Sequence, residues 1–71
     1  AGQYGRALED FNMAVLLGPN DPMTHFNRGS FYRRIGENDL AIADFRKACD
    51  LGSENACNAL GQAGRGPADP R

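Results

Sequence analysis

The residues best suited to chemistry in this sequence of 71 residues are two cysteines and one histidine. Cys49, Cys57 and His25 supply three potential metal ligands, whereas a structural zinc site takes four. The cysteines stand eight positions apart, so the Cys-x-x-Cys spacing of redox-active pairs is missing. The pattern predicts no metal site and no cofactor. It leaves open a disulfide or two buried thiols that act as small apolar residues. His25 is predicted to be structural.

The acidic residues add no candidate for catalysis. Glu9 with Asp10, and Asp39 with Asp44, fall in segments of helical pattern and are predicted to be solvated charges. No glycine-rich phosphate loop follows a strand pattern and no nucleophile is spaced to meet a base, so the sequence predicts a protein that is not an enzyme. The net charge of -1 gives no electrostatic basis for binding nucleic acid. No apolar run approaches the roughly 20 residues of a membrane span, so no membrane insertion is predicted.

Helix start and stop signals divide the chain into four helical segments. Glycines mark three helix ends, at Gly18, Gly36 and Gly52, and capping residues mark two starts, at Asp21 and Ser53. The predicted helices are 3–17, 22–35, 37–51 and 53–63, and residues 64–71, which contain two prolines, are predicted to be a flexible tail.

The sequence also matches itself at an offset of 34 residues. Small and large residues fall in register across the two copies, in the pairs Gly2/Gly36, Ala7/Ala41, Leu8/Ile42, Asp10/Asp44, Phe11/Phe45, Ala14/Ala48, Leu17/Leu51 and Gly18/Gly52. Such a period is typical of a solenoid of helix pairs. The fold class is therefore predicted as all-α: an α-α superhelix fragment of about four antiparallel helices.

The residues of this repeat resemble the tetratricopeptide repeat family. Residues 22–52 look like one full repeat, carried by Gly29, Tyr32, Gly36, Ala41, Phe45 and Ala48. Residues 2–19 look like the second half of a preceding repeat, carried by Gly2, Ala7, Phe11, Ala14 and Pro19. Two positions depart from the family pattern: His25 stands where a large aromatic residue is frequent, and Arg28 where leucine is usual.

The last predicted helix, 53–63, resembles a different repeat. Aligning Arg28-Gly29 with Leu60-Gly61 needs a spacing of 32 residues, so the turn after Gly52 is two residues shorter. The run 47–52 followed by Cys57 resembles a Sel1-like repeat of exported bacterial proteins, in which cysteines eight apart bridge adjacent helices. This resemblance implies a disulfide between Cys49 and Cys57. It favours a bacterial periplasm or envelope over the cytoplasm, although the repeats alone fit both compartments.

The family resemblance implies a protein–protein interaction module within residues 1–63. The first helix of each pair lines the concave groove, which makes helix 22–35 the candidate for binding a peptide or protein partner. Six residues share its free face: Met23, Phe26, Asn27, Ser30, Arg33 and Arg34. Phe26 is suited to stacking, Asn27 to hydrogen-bonding a peptide backbone, and either arginine to holding a carboxylate.

Each of these residues also has a purely structural interpretation. Met23 and Phe26 are equally suited to packing against neighbouring helices, and Arg33 with Arg34 to a solvated helix end that complements the helix dipole. The alternative function is a terminal cap or a self-association element of a longer array. In that case the first helix exposes Leu8, Phe11 or Val15 and the isolated fragment forms a homo-oligomer.

Overall fold

The computed structural model describes residues 2–65, with their side chains over residues 3–61. These residues form four α-helices and no strand: α1 (Gly2–Leu17), α2 (Pro22–Arg34), α3 (Asn38–Asp50) and α4 (Glu54–Arg65). The all-α prediction is thereby confirmed. Helix α4 runs to Arg65, beyond the predicted end at residue 63, because the first helix-breaking proline of that region is Pro67. The rest of the predicted tail, residues 66–71, lies outside the described residues.

The helix ends follow from capping chemistry. At the start of α2, the side chain of Asp21 accepts a hydrogen bond of 2.9 Å from the Met23 backbone N–H, and Pro22 occupies a position where no N–H is needed. Gly36 lies in the turn that follows α2, and its φ of +89° is a left-handed conformation that favours glycine. Gly52, with φ of +109°, lies in the same way in the turn that follows α3. These glycines reverse the chain and make neighbouring helices antiparallel.

Helix α3 lies at the centre of the fold, between α2 and α4. Its small residues and one phenylalanine form the core together with two alanines of α4, in the set Ala41, Phe45, Ala48, Ala56 and Ala59. Phe45 is 1% exposed and is the largest fully buried side chain in the described part of the chain. A Cβ atom on Gly29 of α2 would lie 3.0 Å from the Phe45 ring, so glycine is what lets the two helices approach this closely.

Helix α1 packs against α2 through a smaller interface than the one between α2 and α3. The ring of Phe31 lies 5.4 Å from that of Phe11 and 5.9 Å from that of Tyr4, measured between centroids. The side of α1 turned away from α2 leaves Leu16 and Leu17 exposed at 74% and 80%. None of the helices within residues 2–65 is long and apolar enough to cross a lipid bilayer.

Candidate functional site

A cleft of about 360 Å³ opens between α1 and α2. Its lining combines two aromatic rings with an amide, a hydroxyl and a guanidinium, contributed by Phe11, Phe31, Asn27, Ser30 and Arg34. Residues 27, 30, 31 and 34 lie on one face of α2 because a helix repeats every 3.6 residues. Apolar walls with a few polar groups at the edge are the usual composition of a protein's ligand-binding surface.

Of the six residues that the sequence assigns to the binding face of α2, three line the cleft and three do not. Asn27, Ser30 and Arg34 line the cleft, and Met23 is 60% exposed. Phe26 is half-buried and turns towards the core, whereas Arg33 is exposed. The Phe26 ring lies 5.6 Å from that of Phe45, and the Arg33 guanidinium lies 5.5 Å above the same ring.

Two residues that line the cleft, Phe11 and Phe31, were not predicted as binding residues. Phe11 belongs to α1, so its place beside α2 depends on tertiary packing rather than on spacing within one helix. Phe31 has a signal in the sequence, because it lies four residues after Asn27 and three before Arg34. An aromatic residue at that spacing indicates an apolar centre for the face.

A charged cluster centred on Arg28 joins three helices. Arg28 Nε donates to Asp44 Oδ2 at 2.7 Å and Arg28 Nη2 donates to Asp44 Oδ1 at 2.8 Å, which joins α2 to α3. The third guanidinium nitrogen of Arg28 donates to Asn12 of α1 at 2.8 Å. The hydrogen bonds that Asp44 accepts raise the pKa of Arg28, against the opposing effect of its partial burial. The guanidinium therefore stays charged and holds the helices in register.

The prediction that Asp44 is a solvated charge is wrong. Asp44 is 5% exposed and lies on the same side of α3 as Ala41, Phe45 and Ala48. Its burial is compensated by the two hydrogen bonds from Arg28, the residue that departs from the family's usual leucine. The sequence contains a signal for this pair. An acidic residue stands within a run of core positions, and an arginine stands at an apolar position of the partner helix.

His25 lies next to this cluster and is buried, at 6% exposure. Its Nε2 lies 2.8 Å from the backbone carbonyl of Pro19, and because a carbonyl only accepts, this nitrogen carries the proton. Nδ1 lies 3.8 Å from Asp44 Oδ1 and has no hydrogen-bond partner among the described residues. The histidine thus anchors the turn between α1 and α2 to the first half of α2.

Cys49 and Cys57 form a disulfide that joins α3 to α4, with their Cα atoms 4.8 Å apart. The short turn between the helices and their antiparallel directions bring the two side chains together. Within the part of the chain that the structure describes, no group of three or more histidine, cysteine or acidic side chains is placed to hold a metal ion.

Together, these features define an antiparallel helix-repeat protein with a solvent-open cleft on one helix of the repeat. No family model matches the chain, and no solved structure matches it. Among curated proteins, it is 39% identical to Tetratricopeptide repeat protein 16 of Mus musculus over 64 residues, which cover 90% of the chain and 8% of the relative. It is 35% identical to Small glutamine-rich tetratricopeptide repeat-containing protein 2 of Mycosarcoma maydis over 65 residues, 89% of the chain and 18% of the relative.

The curated relatives of this chain are therefore proteins that contain tetratricopeptide repeats. The similarity supports that family for this chain. The chain spans less than a fifth of the length of either relative. Both relatives are eukaryotic, so the comparison gives no support to the expected Sel1-like character or bacterial origin, and these stay predictions.

Proposed function

We propose that this chain is part of a tetratricopeptide repeat scaffold that binds an extended segment of a partner protein along the exposed face of α2. The observation that carries the proposal is the cleft, in which three residues assigned to the binding face from the sequence meet two aromatic rings. The named relatives support an interaction module in general terms. The mode of binding rests on the residues of the cleft alone.

The lining of the cleft favours a particular kind of segment. Phe11 and Phe31 offer apolar surface for one side chain of the partner, and the Asn27 amide can donate to and accept from a peptide backbone. Arg34 is exposed and has no ion-pair partner among the described residues, so its guanidinium is free to hold a carboxylate. A volume of about 360 Å³ lies at the small end of the roughly 300–1,000 Å³ range of ligand sites. The site therefore fits one apolar side chain with an acidic group nearby.

A displayed peptide library screened against the chain tests this proposal. The selected peptides are expected to combine an apolar and an acidic residue. A double variant, Asn27→Ala with Arg34→Ala, is expected to weaken their binding at least about tenfold, the equivalent of about 1.4 kcal/mol. Circular dichroism checks that the double variant keeps the helix content of the original chain.

The matched control is Arg46→Ala, which removes an exposed arginine from α3, outside the cleft. It is expected to bind the selected peptides as the original chain does. Equal binding by the original and the double variant, or equal losses in the double variant and the control, would show that the cleft is not the binding site.

The alternative function, a terminal cap or a self-association element, has support from the outer side of α1. Met13, Leu16 and Leu17 are exposed at 55%, 74% and 80%, and exposed apolar surface of this kind favours association. In sedimentation equilibrium, self-association predicts a mass that rises with concentration and returns to that of the monomer in a Leu16→Lys, Leu17→Lys variant. A monomeric mass across the micromolar range would exclude self-association.

A further inference from the structure

The two walls of the cleft belong to different helices, so the shape of the cleft depends on how α1 is held against α2. Of the five residues that line it, Phe11 alone lies on α1. Its ring is 5.4 Å from that of Phe31 on α2, measured between centroids. Aromatic pairs tolerate several relative orientations, so this contact does not by itself fix the position of the α1 wall.

A directional contact between α1 and α2 lies one residue away from each wall. Asn12 follows Phe11 in α1, and Arg28 follows Asn27 in α2. The Nη1 atom of Arg28 donates a hydrogen bond of 2.8 Å to Oδ1 of Asn12. Neither Asn12 nor Arg28 is among the residues that line the cleft. An effect of their hydrogen bond on the cleft therefore runs through the position of α1 relative to α2.

The guanidinium of Arg28 is itself held by α3. Its Nε donates to Asp44 Oδ2 at 2.7 Å and its Nη2 donates to Asp44 Oδ1 at 2.8 Å, while Asp44 is 5% exposed. Two parallel hydrogen bonds from a planar guanidinium to a carboxylate fix the direction in which the remaining nitrogen points. The buried carboxylate of α3 thus determines where Arg28 holds Asn12, and with it α1.

We propose that Asn12 and Arg28 are positioning residues for the cleft. Asp44 orients Arg28, Arg28 holds Asn12, and Asn12 sets the distance of the Phe11 wall from the α2 wall. The effect on peptide binding rests on the function proposed above, whereas the effect on the geometry of the two rings does not. An ordered cleft therefore needs a side chain at position 12 that accepts a hydrogen bond.

Nuclear Overhauser effects between the rings test this geometry in the absence of any peptide. Asn12→Ala is expected to weaken those between Phe11 and Phe31, because α1 loses its directional contact with α2. Those between Phe26 and Phe45, whose centroids lie 5.6 Å apart at the contact of α2 with α3, should not change. Asn12→Asp keeps an acceptor for the guanidinium and should retain both sets of signals.

The stability of the same variants provides the control. Asn12 is exposed, so Asn12→Ala is expected to lower the melting temperature by less than about 2 °C. Asn58→Ala alters an exposed asparagine of α4 and should leave the ring signals unchanged. Unchanged ring signals in Asn12→Ala would overturn the proposal. A loss of both ring pairs with a fall of more than about 4 °C would also overturn it, since Asn12 would then act on overall stability alone.

Peptide affinity tests whether this geometry matters for binding. For a peptide selected by the original chain, Asn12→Ala is expected to weaken binding about three- to tenfold, and Asn12→Asp by less than about twofold. Arg28→Lys keeps a positive charge beside Asp44 but lacks the planar fork that also reaches Asn12. It should weaken binding to a similar extent, and adding Asn12→Ala to Arg28→Lys should cause little further loss.

The outcomes separate this inference from the proposed function. Equal losses on adding Asn12→Ala to the original chain and to Arg28→Lys would show that Asn12 acts through another contact, and would overturn the proposal. Weaker binding with unchanged ring signals would mean that Asn12 touches the peptide itself, which also overturns it. If no peptide is selected, the function proposed above fails, while the ring signals still decide whether Asn12 and Arg28 position the cleft.

Discussion

The ion pair of Arg28 and Asp44 joins α2 to α3 through two hydrogen bonds. Asp44→Asn keeps the shape of the side chain but removes the charge that Arg28 faces at 2.7 Å. Because the side chain of Asp44 is 6% exposed and that of Arg28 20%, we expect the free energy of unfolding to fall by about 1–3 kcal/mol. Urea unfolding measures this loss. Asp10→Asn is the matched control, since it is the same substitution at the corresponding exposed position, and we expect it to change stability by less than about 0.5 kcal/mol.

At Gly29, helix propensity and packing predict opposite effects of a substitution by alanine. Alanine is favoured over glycine within a helix by about 1 kcal/mol, yet Gly29→Ala places a methyl group 3.0 Å from the Phe45 ring and 3.1 Å from Asp44 Cβ. Both neighbours are buried and cannot move freely, so we expect the free energy of unfolding to fall by about 1–3 kcal/mol, measured by thermal unfolding. Gly5→Ala in α1 meets no atom within 4 Å and should raise the melting temperature. If both substitutions raised it, the close approach of α2 to α3 would be refuted.

Among the described helices, α4 is the one whose packing depends most on a covalent link, the disulfide to α3. Ala56 and Ala59 are its buried contacts with the core, and both are small, so they supply less apolar area than a larger side chain would. The disulfide between Cys49 and Cys57 closes a short loop, for which chain entropy predicts about 2–3 kcal/mol of stabilisation. Reduction with a dithiol, or the double variant Cys49→Ala with Cys57→Ala, is therefore expected to release α4 first.

Hydrogen exchange measures that release for each helix. The backbone N–H groups of α4 should exchange faster after reduction, by a larger factor than those of α2 and α3. Equal acceleration in all of these helices would mean that α4 and the rest of the fold open as one unit. A control sample of the cysteine-free variant treated with the same dithiol should show no further change.

The positions of the helices were predictable from the sequence, because the residues that start and stop a helix act on the adjacent turn. Asp21, Pro22, Gly36 and Gly52 act on the turns next to them, and the structure places helix boundaries at those turns. The spacing of residues on the α2 face likewise follows from one helix alone. The burial of Asp44 was harder to predict, because a carboxylate is usually solvated and its partner, Arg28, lies 16 residues away on another helix.

The two aromatic rings of the cleft show the same limit for the candidate site. Phe31 belongs to the helix that was assigned as the binding element, yet its role depends on contact with Phe11 and Tyr4 of α1. Conversely, Phe26 lies within the predicted face by spacing, yet its ring packs against Phe45 of the core. Helical periodicity defines a broad face, and packing between helices decides which part of it stays open.

The part of the chain that the structure describes is a slab of 39 × 29 × 13 Å, and its helices differ in how firmly they are packed. Repeat proteins of this kind are stabilised by contacts between neighbouring helices, so each interface contributes separately. Among the four described helices, α2 and α3 share the largest interface. Helix α1 is held on α2 chiefly by the rings around Phe31 and by the hydrogen bond from Arg28 to Asn12. Helix α1 should therefore open at a lower free energy than α3.

Phe31→Ala tests this order of stability across the molecule. Removing the ring takes away the contacts with Tyr4 and Phe11 and leaves Phe45 and its neighbours on α3 untouched. We expect the backbone N–H groups of α1 to exchange at least about tenfold faster, which corresponds to about 1.4 kcal/mol of lost local stability. Those of α3 should change by less than about threefold. Phe26→Ala, which removes a ring from the Phe45 side of α2, should produce the opposite pattern. If either variant accelerated exchange equally in α1 and α3, the two interfaces would belong to a single cooperative unit.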